Sequence, residues 1–189
     1  MKSRKLTFIN PEGKSLSARL DLPANQDPHN FAIFAHCFTC SKDFSAVRNV
    51  SRALASEGFG VLRFDFMGLG KSEGDFADTN FSSNVTDLIS AAEFLAKEYK
   101  APSLIVGHSL GGAASIFAAS KIESIKAVAT IGTPSEPEHV THLLQSKIED
   151  IEEHGFAKVN IGGREFMIKK QFLDDLKSKD MYKVLKGLK

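Results

Sequence analysis

The residues with the clearest chemical potential are Gly107, His108, Ser109, Leu110, Gly111 and Gly112. They fit G-x-S-x-G, with an apolar run at 103–107 before them and a helical pattern at 110–121 after them. A serine in that context sits on a sharp strand-to-helix turn, and bulky side chains at the flanking glycines would block the close approach of backbone that the turn needs. Its hydroxyl is then raised over the sheet edge, where it can attack an acyl carbon. The N–H of Leu110, first in the helix, would face the oxygen that turns negative during attack, and the helix dipole adds to that field. The plainer alternative is a glycine-rich turn whose serine caps a helix.

A second N–H donor should come from the loop after another buried strand. His36, Cys37, Phe38, Thr39 and Cys40 directly follow the apolar run 31–35, and the backbone N–H of Phe38 is the candidate. Cys37 and Cys40 also form C-x-x-C at a strand-to-helix turn, a spacing that can carry thiol redox chemistry. Two incidental thiols are the expectation and a Cys37/Cys40 redox pair the alternative. A metal site ranks below both, since His36 and two cysteines leave the fourth ligand unnamed. Gly70-Lys71-Ser72 hints at a phosphate loop, but that pattern requires glycine where Asp65 stands.

The elements that must position these residues follow from apolar periodicity. The runs at 31–35, 60–66, 103–107 and 125–131 read as strands of a mostly parallel sheet, and the helical patterns between them as crossover helices. Segments 7–10 and 17–22 read as an opening antiparallel pair. Phe44, Val47, Val50 and Leu54 mark a helix stopped by Gly58; Val85, Leu88, Ile89, Ala92 and Leu95 mark another, with Ser82 or Ser83 as its N-cap. Past Thr133 the texture changes. Pro134 and Pro137 are breakers, 139–154 reads as an amphipathic helix, Gly162-Gly163 marks a hairpin within 159–169, and 171–188 is Lys-rich and helical. Residues 1–134 form a core unit, and residues 135–189 a covering segment with helices and a β-hairpin.

Composition sets the outer bounds. A chain of 189 residues favours one domain, and 42% hydrophobic with 25% charged residues argues against disorder. Twenty-four Lys and Arg against 23 Asp and Glu, a net charge of +1, remove the simplest case for a nucleic-acid or anionic-membrane partner. No apolar run approaches a membrane span, residues 1–11 lack the apolar stretch of a signal peptide, and two cysteines are too few for a disulfide framework, so a reducing, cytoplasmic setting is expected. The lysines at 169, 170, 177, 179, 183, 186 and 189 read as a solvated helix face.

Taken together, the strand ending in His36-Cys37, the Asp65-x-x-Gly68-x-Gly70-x-Ser72 loop and the Gly107-x-Ser109-x-Gly111 elbow resemble the α/β-hydrolase family over residues 31–134. More narrowly, residues 36–43, 63–74 and 80–88 resemble the hydrolase module that some bacterial bifunctional proteins carry ahead of an OsmC-like domain. The resemblance implies an α/β fold, a doubly wound and mostly parallel sheet with a C-terminal helical lid. It also implies serine-dependent hydrolysis of a carboxylic ester or related bond in a small molecule, without cofactor or metal. Ser109 would be the nucleophile, with the N–H groups of Phe38 and Leu110 as oxyanion donors.

Two departures shape the expectation. Hydrolases of this family commonly have glycine where Cys37 stands. The order in this fold is Ser, then Asp or Glu, then His, the last two on turns after later strands, and those strands are not evident before Lys189. Glu136 and Glu138 are candidates for the acid, but His139, His142 and His154 lie in the covering segment without the expected loop context. Very weak or no esterase activity is therefore expected of these residues alone. The last strand's edge should be covered by the tail, paired with a second copy, or completed by a further C-terminal segment. A non-catalytic, hydrolase-like binding module is the alternative function.

Overall fold

The computed structural model describes residues 1–188. Strands β1 (Lys2–Ile9) and β2 (Ser15–Leu22) pair antiparallel, in register from Lys2 opposite Leu22 to Ile9 opposite Ser15. β1 begins five residues earlier than its apolar pattern indicates, because its ladder with β2 holds along a polar edge where only Phe8 is buried. Next come β3 (Asn30–Ala35), α1 (Ser45–Ser56), β4 (Phe59–Phe64), α2 (Phe81–Glu98), β5 (Leu104–His108), α3 (Leu110–Ala119) and β6 (Ala127–Ile131). They build one six-stranded sheet in the order β1-β2-β4-β3-β5-β6, parallel from β4 to β6 and antiparallel at β1 and β2.

Alternation along β3 explains why this sheet is covered on both faces. Phe31, Ile33 and Ala35 join the main core with Leu88, Ala92 and Leu95 of α2 and Ala113 of α3, while Ala32 and Phe34 turn to Val47, Val50 and Leu54 of α1. Helix α2 starts two or three residues sooner than its serines suggest. Asn80 is the N-cap: its side chain accepts the Ser83 N–H at 2.8 Å, and Ser83 Oγ accepts the Asn80 N–H at 3.0 Å, a reciprocal box.

Among the described residues, the outer edge of β6 has no strand partner. Ala127, Ala129, Thr130 and Ile131 are exposed along it, and a groove of about 770 Å³ runs between β6, α3 and the C-terminal helix, lined by residues including Ile116, Ile125, Val128 and Leu185.

The helix expected over 139–154 is only partly α-helical. Residues Pro137–Lys147 wind as 3₁₀ turns, and the α-helix α4 covers Ile148–His154. Val140 and Leu144 reach the core from either winding, so their spacing does not separate the two. The hairpin β7 (Phe156–Ile161) and β8 (Arg164–Lys169) turns at Gly162-Gly163, followed by α5 (Lys170–Lys177) and α6 (Met181–Gly187). Val140, Leu144, Ile151, Val159, Leu176 and Met181 are buried in the same cluster as the sheet, so residues 135–188 share one core with it. Lys189, the last residue of the Lys-rich tail, lies outside the described residues. Among the described residues no helix is long and apolar enough to cross a membrane.

Candidate active site

Ser109 joins β5 to α3 with φ 55° and ψ −128°, a conformation strained for any residue carrying a side chain. The strained backbone that the elbow pattern requires is thus present. Its N–H donates to Ile131 O at 2.9 Å, which anchors the turn to the end of β6, and its carbonyl accepts the Gly112 N–H at 2.9 Å to start the helix. A Cβ at Gly111 would run into the main-chain carbonyl oxygens of His36 and Ala35, and one at Gly112 into the Thr133 hydroxyl. Gly111 lets α3 begin pressed against the end of β3, and so brings Ser109 beside the loop that follows β3, while Gly112 lets the helix close on Thr133.

That loop holds the expected second donor, Phe38. The backbone N–H groups of Phe38 and Leu110 donate to no protein acceptor among the described residues. The ring of Phe38 stacks on Phe172 at 5.3 Å and tilts against Phe76 at 5.6 Å, and Phe166 packs on Phe76 at 4.9 Å, giving an aromatic wall. Arg164, from the β7–β8 hairpin, donates to the Thr39 carbonyl. Cys37 and Cys40 are joined as a disulfide across this turn, which corrects the expectation of two separate thiols. Spacing can place two sulfurs within reach but does not fix their bonding.

His36 is not placed to serve as a base. It is 1% exposed; its Nδ1–H donates to Cys37 O at 2.9 Å, and its Nε2 accepts the Phe66 N–H at 3.4 Å, an arrangement that fits the neutral ring. Burial pushes its pKa down to about 4, against the smaller opposing pull of the Cys37 carbonyl. The histidines of the covering segment pair locally: His139 with Ser135 Oγ, His142 with the His139 carbonyl, and His154 with the Asp150 carbonyl. Glu136 accepts the Met181 N–H at 3.2 Å, and Glu138 is exposed on the 3₁₀ segment. Ser109 therefore has no imidazole or carboxylate hydrogen-bonded to it among the described residues. Two side-chain atoms near the carboxyl ends of β5 and β6, His108 Nδ1 and Thr133 Oγ1, are buried without partners.

A buried ion network holds the loops around Ser109. Asp65, 1% exposed, accepts the Lys42 ammonium at 2.5 Å, the Lys42 N–H at 2.6 Å and the Lys71 N–H at 2.9 Å. Arg63 bonds Asp21 at 2.7 Å, the Lys42 carbonyl at 2.7 Å and Asp43 at 2.8 Å. The motif reading above gives Lys42, Arg63 and Asp21 no role. Their signal was a charge inside an apolar run, as in Val61-Leu62-Arg63-Phe64, where burial demands a partner. Among the described residues no three His, Cys, Asp or Glu side chains converge to hold a metal ion.

Asp87 of α2 is buried beneath the same loops, accepting the Met67 N–H at 2.8 Å and the Asn10 side-chain amide at 3.0 Å. Burial raises its pKa to about 6, with the two hydrogen bonds opposing. The folded chain thus keeps a proton there that the unfolded chain releases near the ordinary aspartate value of 3.8, so this contribution to stability is complete at low pH and is lost as pH rises to about 6. Asp87→Asn keeps the shape and removes the titration. Urea unfolding at pH 4 and pH 7 should show wild type's advantage over the variant shrinking by about 2 kcal/mol at the higher pH, and a pH-independent gap would refute the assignment. His36 works in the opposite sense, since stability from its neutral ring rises as pH climbs from about 4 towards 6.5.

A mostly parallel sheet flanked by helices, with a strained serine between β5 and α3, defines an α/β hydrolase, and the comparisons agree. Residues 28–180 match the profile described as serine aminopeptidase, S33, and the chain belongs to that family. The esterase domain of a Rhodothermus marinus protein is 44% identical, with a TM-score of 0.75 over 100% of this chain and 73% of that one. XC6422 from Xanthomonas campestris, described as an α/β serine hydrolase without a lid, is 28% identical, with a TM-score of 0.63 over 71% of this chain and 63% of that one. The α/β hydrolase GrgF from Penicillium sp. sh18 shares the fold at 17% identity, with a TM-score of 0.76 over 100% of this chain and 77% of that one. No curated protein matches the chain.

Proposed function

We propose that this chain carries the nucleophile and oxyanion site of a carboxylic-ester hydrolase acting on a small molecule. The observation that carries the reading is Ser109 in its strained turn, beside a loop whose Phe38 N–H is free along with that of Leu110. Ser109 Oγ attacks the ester carbonyl carbon, and the charge that develops on oxygen is received by these two N–H groups, one at the start of α3 and one in the loop after β3. The aromatic wall of Phe38, Phe76, Phe166 and Phe172 takes the apolar part of the substrate. The proton acceptor, a histidine oriented by a carboxylate, is supplied at the open edge of β6 by a further segment or a second copy. The unpaired outer edge of β6 among the described residues supports this placement. Without the acceptor the hydroxyl stays a poor nucleophile, and only the residual catalysis of oxyanion hole and binding is left.

A fluorophosphonate probe tests the reading. The 189-residue chain should be labelled slowly, and Ser109→Ala should abolish the label. Labelling that survives the substitution would discard Ser109 as nucleophile. Rapid turnover of p-nitrophenyl esters by the same chain, lost in Ser109→Ala, would instead place the base within the covering segment and overturn completion at β6. The absence of an imidazole beside Ser109 favours a second reading, a non-catalytic binding module. Retained binding of ester analogues, with no labelling even after the β6 edge is completed, selects it.

A further inference from the structure

We propose that the Cys37–Cys40 disulfide is a reversible clamp on the oxyanion turn, so that hydrolysis at Ser109 depends on the redox state of these two sulfurs. The inference rests on the Ser109 reading above. The bond closes a ring around Phe38, whose N–H is the oxyanion donor, and Thr39, whose φ is 65°. A β-branched residue at positive φ is unfavourable by roughly a kcal/mol or more and persists only where its surroundings impose it. Three contacts do so here. The Cys40 N–H donates to Cys37 O at 3.0 Å, Arg164 donates to the Thr39 carbonyl, and the disulfide joins the two ends of the turn covalently.

Both cysteines are half-buried, so a small dithiol can reach them. Reduction passes two electrons and two protons to the protein: the S–S bond breaks, Cys37 and Cys40 become thiols, and the dithiol closes to its own disulfide. Thr39 is then free to return to negative φ. That motion rotates the peptide planes on either side of it, withdraws the Thr39 carbonyl from Arg164 and moves the Phe38 N–H away from the oxyanion position. Cys37 and Cys40 act as positioning residues and touch no substrate.

The test compares the full chain oxidised, reduced with dithiothreitol, and reoxidised, together with Cys37→Ala/Cys40→Ala. Two quantities are followed: the amide resonances of Phe38 and Thr39, and the rate of fluorophosphonate labelling at Ser109. Reduction should shift both resonances and slow labelling by about a hundredfold, the scale of losing one oxyanion donor, while far-UV circular dichroism stays constant. Reoxidation should restore the rate, and the double variant should label slowly whatever the dithiol concentration. Unmoved resonances, with alkylation showing two free thiols, overturn the clamp, as does a labelling rate indifferent to reduction. If Ser109 labels in neither state, the hydrolase reading fails and the resonances alone decide whether the clamp exists.

Discussion

Lys42→Met should lower the unfolding free energy by about 3–5 kcal/mol, because it leaves the Asp65 carboxylate charged, buried and without its cation. For a chain of this size the melting temperature should drop by roughly 10 °C. The ammonium cannot be replaced by solvent: both partners are almost wholly enclosed, at 3% and 1% exposure. Loss of the pair should also loosen the turn after β3, since the Lys42 N–H and the Lys71 N–H both converge on Asp65, and the Lys42 carbonyl is held by Arg63. Lys42→Met combined with Asp65→Asn should recover much of the loss, because a neutral pair is cheaper to bury than a lone charge. Calorimetric scans of the two variants beside wild type measure both effects. A single variant melting within a degree or two of wild type would mean that Asp65 does not depend on Lys42.

Gly111→Ala should be nearly as damaging, at about 3 kcal/mol, the upper end of the range for overpacking. The added methyl would meet the carbonyl oxygens of His36 and Ala35, which belong to the main chain at the end of β3 and cannot rotate aside. The helix must back away, taking Ser109 and the Leu110 N–H with it, so fluorophosphonate labelling should fall along with stability. Gly112→Ala provides the internal control. Its methyl would meet chiefly the Thr133 hydroxyl, which can turn, with the nearest main-chain atom, Gly107 O, at 3.1 Å, so its cost in urea unfolding should be the smaller of the two. Equal costs would show that backbone contact at β3 is not what fixes the elbow.

The parts of this molecule legible from sequence are those set by local physics. The run 31–35 is apolar throughout because β3 is buried on both faces, and a glycine-flanked serine between a strand and a helix admits few other geometries. Less was legible where contacts join distant residues. Arg63 and Asp21 are 42 positions apart, and Lys42 and Asp65 are 23 apart, so nothing in either neighbourhood announces the pair. The 3₁₀ winding of Pro137–Lys147 was hidden because residues three or four apart fall on one side of either helix. Asn80 is hard to single out as the cap from sequence because Ser83 belongs to the same reciprocal box and the nearby serines compete for the role. The C-x-x-C spacing was plain, whereas its oxidation state is a property of folded geometry and surroundings.

The shared core of the sheet and residues 135–188 bears on how a substrate arrives. Leu144, Ile151, Phe172, Leu173, Leu176 and Met181 are each at most 2% exposed. Swinging that segment outward as a hinged flap would return all of them to water, at roughly 1.5–3 kcal/mol apiece, a total comparable to the stability of a whole domain. On the proposed reading, a substrate therefore enters with the segment seated, past the cluster of Phe38, Phe76, Phe166 and Phe172. On the same reading, side-chain rearrangement of these rings, more than any domain motion, sets which esters gain access.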